Sequence, residues 1–423
     1  MKAGSRLPEP GPVLTFAERD RRWNGLRALM RARSLEAIVV GSFNGRERLE
    51  SYLIDDFLDS VVILPLERDP SVVTFSAARL SRTYESERRG IVPWVSDYRL
   101  ASGGAAVATV LGEVVKPAGR IGIVGFGPTA PGEMEGLLPF GFHHRLVEGL
   151  PSVELVDFTQ AFTDFMLVKS DEELQLLRFA ARVSEEASQA MLDACRPGVS
   201  EAAVYAAIMS EIYRWGCETR YPHLSLQSGP DNMGWGAPRW TLRAEPPRVL
   251  QRGDVVQAEI HTMYGGQESQ VQMSVALDPI DDALETCAAV ARDAYEAGLA
   301  AVRPGVTFRS VVEAMEAPLA RAGCWSKTPL LHTLTFGSTG FSAVNRAQIA
   351  GTIEERTEGR ITPGVRRGEL VLVAGMTLEL EPNACLGTRR VNIGGVGVVT
   401  AHGCEELNAI STHMRRAGTP WEA

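Results

Sequence analysis

Two glutamates stand in matched surroundings. Glu259 lies in GDVVQAEIH and Glu381 in GMTLELEPN, and each follows a glycine, Gly253 or Gly375, by six residues. Two carboxylates close together in a partly dry cleft cannot both ionise cheaply, so one of them is pushed up and the pair titrates as a unit. General acid–base chemistry needs such an arrangement. What would bring the two together is an internal repeat. Arg196-Pro-Gly-Val-Ser200 recurs as Arg303-Pro-Gly-Val-Thr307, and Gly216-Cys217 and Gly323-Cys324 follow these turns by the same interval. Four matches in one order imply a duplicated helix–helix–sheet unit with pseudo-two-fold symmetry, which carries equivalent positions toward each other. Glu259 and Glu381 are then expected to meet across the pseudo-dyad. Period-two alternation places His261 on the face of Glu259, and Glu379 and Asn383 on the face of Glu381.

The elements that must hold these residues follow from periodicity and capping. Ser170 and Glu173 form a capping box ahead of a helix from Asp171 to about Ala194, and this helix opens the second domain. In the first part, Phe16 to Arg33 has helical periodicity, with Trp23, Leu26, Leu29 and Met30 on one face. The runs 36–41, 60–66 and 71–76 read as strands, a helix is expected over Ala105 to Val115, and RIGIVGFG reads as a strand ending in a turn. The GFG there lacks the spacing of a phosphate-binding loop. The fold class is α/β (α+β): a small N-terminal domain over residues 1–165 and a duplicated domain over 166–423.

Composition narrows the partners. The chain is 45% hydrophobic and 22% charged with net charge -9, and its Lys and Arg residues are scattered. No basic stripe is available for nucleic acid, and no apolar run is long enough for a membrane span. The first residues lack the apolar core of a secretory signal, so a cytoplasmic protein is expected. Six cysteines without a CxxC pair read as mostly buried thiols. Cys385, near Glu381, has no evident base partner and reads as one of them.

In order along the chain, MLVKSDEELQLLRFAARVSEEA, the RPGVS turn, SLQSGPDN, RGDVVQAEIHTMYGGQESQVQMSVAL, an isolated His332 and GMTLELEPN resemble the creatinase, prolidase and Xaa-Pro aminopeptidase family, whose fold is called pita-bread. The likeness extends to SFNGRERLESYLIDDF in the first domain. In metal-dependent members, two metals are held by two aspartates, a histidine and two glutamates. That resemblance maps these ligands onto Glu259, Gln270, His332, Glu381 and Gly394. Gln and Gly cannot supply the bridging charge, so no dinuclear metal centre and no cofactor are expected. Creatinase is a metal-free member that uses a histidine in the loop after the SG turn and glutamates on the cleft strands. Here that loop, SGPDNMGWGAPRWTLR, has no histidine, and one of those glutamates maps to Gln272, which argues against creatine itself as substrate.

The cleft so inferred holds Glu259, His261, His332 and Glu381 as catalytic candidates, with a neutral histidine shuttling a proton. Gln270, Gln272, Trp235, Arg239 and Asn383 are substrate-binding candidates, the glutamines orienting a carbonyl or amide. The leading expectation is metal-independent hydrolysis of a C–N bond in a small amidine, cyclic amidine or amide. Two alternatives stay open: a mononuclear metal hydrolase or lyase built on the same four residues, and an inactive binding module. The resemblance implies a homodimer. Asp55, Asp56 and Asp59 are either a device favouring a cationic substrate or a solvated acidic loop.

Overall fold

The computed structural model describes residues 9–41, 43, 48–127, 136–219, 224–326, 329–334 and 367–419. The chain divides into two compact units, and the first holds Val13–Leu167. Its elements in order are α1 (Phe16–Ala32), β1 (Ala37–Gly41), α2 (Ser51–Ile54), β2 (Ser60–Pro65), β3 (Ser71–Thr74), α3 (Ala77–Arg88), β4 (Asp97–Leu100), α4 (Gly103–Gly112), β5 (Arg120–Ile123), α5 (Phe140–Gly149), β6 (Glu154–Asp157) and α6 (Thr159–Leu167). The strands form one mixed sheet in the order β4-β3-β2-β1-β5-β6. Alternation along β1 explains its uninterrupted apolar run: Ile38 and Val40 enter one core cluster, Ala37 and Val39 the other. Helix α4 starts and ends two to three residues earlier than the expected 105–115, because Ser102 takes the N-cap position and the chain turns at Glu113.

The GFG turn after β5 is structural. The backbone N–H groups of Gly125 and Gly127 donate to Thr159 Oγ1 at 2.9 and 3.2 Å, so those amides are spent within the fold. Of SFNGRERLESYLIDDF, Ser42 and residues 44–47 lie outside the described residues, as do residues 335–337 after His332. The acidic trio pairs within its own unit: Asp59 with Arg79 at 2.7 Å, and Asp56 with Thr83 at 3.0 Å. Burial lifts Asp55 to about 6, against the pull of Arg22.

The second unit begins at Val168. It comprises α7 (Asp171–Ala194), α8 (Glu201–Arg214), β7 (Ser225–Gly229), α9 (Arg239–Leu242), β8 (Val255–Tyr264), β9 (Gln267–Ala276), α10 (Asp282–Ala301), α11 (Phe308–Arg321), β10 (Trp325–Ser326), β11 (Leu331–Thr333), β12 (Thr377–Leu380), β13 (Asn383–Leu386), β14 (Arg389–Asn392), β15 (Gly395–Val399), β16 (Cys404–Glu406) and β17 (Arg415–Arg416). The capping box at Ser170 and Glu173 is present and starts α7. No helix among the described residues is long and apolar enough to cross a membrane.

The repeat is visible in three dimensions. Helices α7 and α8 precede the sheet β17-β9-β8-β7, and α10 and α11 precede the sheet β11-β12-β15-β16. Ser200 and Thr307 cap α8 and α11 with nearly identical dihedrals, φ -83° and ψ 151° against φ -83° and ψ 150°. The paired glycines share the left-handed conformation in which only glycine is unstrained: Gly198 and Gly305 at 90° and 86°, Gly216 and Gly323 at 71° and 69°, Gly253 and Gly375 both at 91°. The motifs recur because the backbone repeats a shape that L side chains resist. The halves are not identical, since β17 joins β9 in parallel whereas β16 joins β15 antiparallel.

Candidate active site

Strands β8 and β9 pair antiparallel with Gln257 opposite Ser274, Glu259 opposite Gln272 and His261 opposite Gln270. Residues two apart share a face, so Gln257, Glu259 and His261 line up with Glu268, Gln270, Gln272 and Ser274. From the other half, β11 and β12 pair His332 with Glu379, and Glu381 follows directly after β12. The halves are stitched where Gly394 and Gln272 exchange backbone hydrogen bonds at 3.0 and 3.3 Å. Across this seam Glu259 and Glu381 meet.

The group between them is the Gln272 amide. Its Nε2 donates to Glu259 Oε1 at 3.2 Å and also to Glu381 Oε2. Gln270 Nε2 donates to Glu259 Oε1 at 2.6 Å, and the Ser225 hydroxyl donates to Glu259 Oε2 at 3.1 Å. Asn392 Nδ2 donates to Gln272 Oε1 at 2.7 Å, which fixes the way the Gln272 amide faces. Neither glutamine is therefore left to orient a substrate carbonyl or amide as the sequence suggested. Both are consumed in holding carboxylates, and Glu259, with both oxygens engaged, anchors the site.

The two histidines differ. His261 Nδ1 is 2.8 Å from Glu268 Oε1 and its Nε2 is 3.6 Å from Glu259 Oε1. Burial pulls the imidazolium down, but Glu259 and Glu268 outweigh it and lift His261 to about 9. At neutral pH it is a cation held between carboxylates, which corrects the expectation of a neutral shuttle at this position. Glu259, for its part, is driven up by burial but brought below its usual range by His261, Gln272 and His332. Glu268 escaped sequence reading, although extending the alternation of Gln272 and Gln270 by one step reaches it.

His332 is buried, and its Nδ1 lies 3.1 Å from the Thr333 carbonyl oxygen. A carbonyl only accepts, so Nδ1 carries the hydrogen and Nε2 is the nitrogen that titrates. That Nε2 stands 3.2 Å from Glu381 Oε1, close enough to exchange a proton, although no aligned donor among the described residues reaches this oxygen. Burial raises Glu381 to about 7 against the opposing pull of His332. Burial lowers His332, but Glu381 and the Thr333 carbonyl reverse the direction and hold it above the usual imidazole range. Beside them Glu379 is fully buried with both oxygens unbonded among the described residues, and burial followed by Glu381, Glu259 and Glu268 pushes it well above the usual carboxylate range. Its surroundings favour the protonated, neutral form.

Of the other candidates, Asn383 is buried beside Glu381, where its Nδ2 donates to the Glu381 carbonyl at 3.3 Å and its Oδ1 accepts from Arg390 Nη1 at 3.4 Å. Trp235 stacks on the Arg390 guanidinium, 4.5 Å from carbon to ring centroid. Arg239 is not brought to the cluster. Its guanidinium is largely exposed and pairs with Glu245 at 3.2 Å, lining a separate cavity of about 390 Å³ with Trp240 and Arg248. Cys385 is buried, its thiol directed to the Asn383 carbonyl at 3.8 Å, and none of the six cysteines forms a disulfide.

Residues 175–403 match the profile of metallopeptidase family M24. The chain belongs to that family. Among curated relatives of this M24 protein, the creatinase of a Bacillus species is 24% identical over 418 residues, covering 94% of this chain and 92% of the relative. The Xaa-Pro dipeptidase of Lactobacillus delbrueckii subsp. lactis is also 24% identical, covering 61% of this chain and 66% of the relative. Among solved structures, the dipeptidase PepE of Mycobacterium ulcerans superposes with a TM-score of 0.68 at 21% identity, covering 96% of this chain and 99% of that one. The prolidase of Pyrococcus horikoshii gives 0.70 at 15%, covering 94% and 99%. The protein is a creatinase- and prolidase-like hydrolase with the pita-bread fold.

The family name implies a metal, and the residues present do not fit a dinuclear one. The Gln272 Nε2 hydrogens point at both carboxylates from the place where a bridging cation would have to stand, and Asn392 prevents the amide from offering its oxygen instead. At Gly394 a Cβ would lie 2.3 Å from the Leu380 carbonyl oxygen and 2.9 Å from Glu381 Cα, so no glutamate enters there without moving the backbone. A mononuclear set fares no better. Among the described residues no group of three or more His, Cys, Asp or Glu side chains is placed to hold a metal ion, and a ligand at His261 Nδ1 would have to displace its hydrogen bond with Glu268.

Proposed function

We propose that the protein hydrolyses a C–N bond of a small amidine, cyclic amidine or amide by metal-independent acid–base chemistry at Glu381 and His332. The single observation that carries this reading is the Gln272 amide bridging Glu259 and Glu381, a neutral donor in the position a metal pair would need. Glu381, lifted to about 7, and His332 Nε2 at 3.2 Å form a couple that shares one proton near neutrality, which suits it to both taking and giving one. In the reaction an O–H bond of water breaks and its oxygen bonds the trigonal carbon. The couple receives the proton and delivers it to the departing nitrogen as the C–N bond cleaves. Glu259, Gln270, Gln272 and His261 position Glu381 and hold the local charge constant.

The test is a screen of small amidines, cyclic amidines and amides with metal-stripped protein, followed by Glu381→Gln on the best substrate. Turnover by the stripped enzyme and a loss of at least about a hundredfold in kcat in the variant are expected. Turnover that disappears on stripping and returns with one added divalent ion would replace this reading with a metal-dependent one. Undiminished activity of Glu381→Gln would remove Glu381 from the chemistry.

A further inference from the structure

Three of the cysteines are gathered at one place in the fold. Cys324 lies between α11 and β10, and its neighbour Trp325 pairs with Cys385 on β13. Trp325 Nε1 reaches the Gly387 carbonyl in the turn between β13 and β14 at 3.2 Å. Cys287 comes to the same hairpin from α10, its thiol donating to the Arg389 carbonyl at 3.7 Å. The Cys287 and Cys324 thiols share a hydrogen. That sharing, with burial acting the same way, pushes Cys287 up, and it draws Cys324 below the usual thiol range against burial. Among the described residues no three such side chains are placed to hold a metal ion, so the chemistry open to two thiols in contact is oxidation.

The internal repeat supplies a comparison within the chain. Cys217 holds in the first half the place of Cys324 in the second, because the residue after each joins the corresponding strand, Glu218 to Met263 as Trp325 to Cys385. Cys287 stands sixteen residues before Arg303, and sixteen before Arg196 stands Ala180. The first half thus has alanine and methionine where the second has Cys287 and Cys385. Without a thiol beside it, Cys217 is pushed up to about 12, chiefly by burial. One backbone shape carries an inert thiol in one half and a paired, more acidic one in the other.

The pair is buried but shallow. Cys287 and Cys324 are 0% and 1% exposed, yet Arg321 and Ala322 just before Cys324 are exposed, as is Gly387 at the tip of the hairpin. A local opening of either turn admits a molecule as small as a peroxide.

We propose that Cys287 and Cys324 are a redox-sensing pair that a small hydroperoxide converts to a disulfide, fastening α10 to the junction of α11 and β10. Cys324 attacks the terminal peroxide oxygen: an S–O bond forms, the O–O bond breaks, and the leaving oxygen takes the proton that Cys324 gives up. The Cys287 sulfur then bonds that of Cys324 as the S–O bond breaks, and the Cys287 hydrogen departs with the hydroxide as water. Two thiols lose two electrons and the peroxide gains them. Closing the bond takes the Cys287 hydrogen from the Arg389 carbonyl, so oxidation is felt in the hairpin that begins two residues after Glu381.

The test treats the reduced, folded protein with a small excess of hydrogen peroxide, alkylates the remaining thiols in denaturant and maps unreduced peptides by mass spectrometry. Two of the six thiols should be lost as one linked Cys287–Cys324 peptide, two hydrogens lighter than its parts, and dithiothreitol should restore both. Cys287→Ser should stop at a sulfenic acid on Cys324, which dimedone traps. Cys324→Ser should leave Cys287 reduced at the same dose, and Cys385→Ser should still form the bond. Six thiols that stay reduced while the protein is folded, a bond joining Cys324 to Cys385, or oxidation of Cys287 that survives Cys324→Ser would each overturn the pair. Should a serine variant not fold, the peptide map of the wild type decides alone.

Discussion

His261 shows how one side chain sets the charge of the site. Its folded value of about 9 lies above the ordinary 6.5 because Glu259 and Glu268 overcome the cost of burial. The folded state therefore holds a proton that the unfolded chain releases. The resulting stabilisation is complete below about pH 6.5 and is lost as pH rises through about 9, a contribution of roughly 3 kcal/mol. Glu381, raised to about 7, bends the curve in the same direction at lower pH, since the folded state binds its proton while the unfolded carboxylate has already lost it. Urea unfolding between pH 6 and pH 9.5 should show stability falling by about that amount in the wild type, and His261→Gln should flatten the alkaline part. Parallel curves for the two proteins would mean that this imidazolium is not what links stability to pH.

At the scale of elements, the glycines separate strain from crowding. Gly305 has φ 86° and nothing within 4 Å of a would-be Cβ, so Gly305→Ala pays only for the left-handed backbone, about 1 kcal/mol. Gly394 sits on the seam between the halves, where a Cβ would meet the Leu380 carbonyl oxygen at 2.3 Å. Gly394→Ala should lower stability by on the order of 3 kcal/mol, and more if the Gln272–Gly394 bridge opens. Chemical denaturation of the two variants side by side measures this, and equal losses would show that the seam can relax. The cap of α7 belongs to the same scale. Ser170→Ala removes the bond from the Glu173 amide and should cost about 1 kcal/mol by the same measurement.

For the whole molecule, metal and folding are expected to be uncoupled. A cation that binds only the folded state raises the melting temperature by mass action, and its removal lowers it. With the Gln272 amide between the carboxylates and no room for a side chain at Gly394, dialysis against a chelator should leave the melting temperature unchanged. Added manganese, zinc or cobalt should leave it unchanged too. A rise that saturates at one ion per chain would show that the cluster rearranges to take a metal.

The sequence by itself determined the elements and their duplication. RPGVS and RPGVT recur because each builds a left-handed glycine before a capped helix, and Gly253 and Gly375 precede Glu259 and Glu381 for the same backbone reason. Such motifs are local, so their meaning survives without coordinates, and symmetry then carries Glu259 and Glu381 to one place. Period-two alternation reached His261, Glu379 and Asn383, the family resemblance reached Gln270 and Gln272, and extending the alternation one step from those two would have reached Glu268. What only the tertiary structure decided is the state of each group. Whether Gln272 turns its nitrogen or its oxygen to the carboxylates depends on Asn392, more than a hundred residues away. Whether His261 is neutral depends on Glu268 across the hairpin, and whether Arg390 has a partner depends on a strand that follows a change of sheet after Pro382. Protonation and hydrogen-bond direction follow ångström-scale distances and the removal of water, and periodicity carries neither.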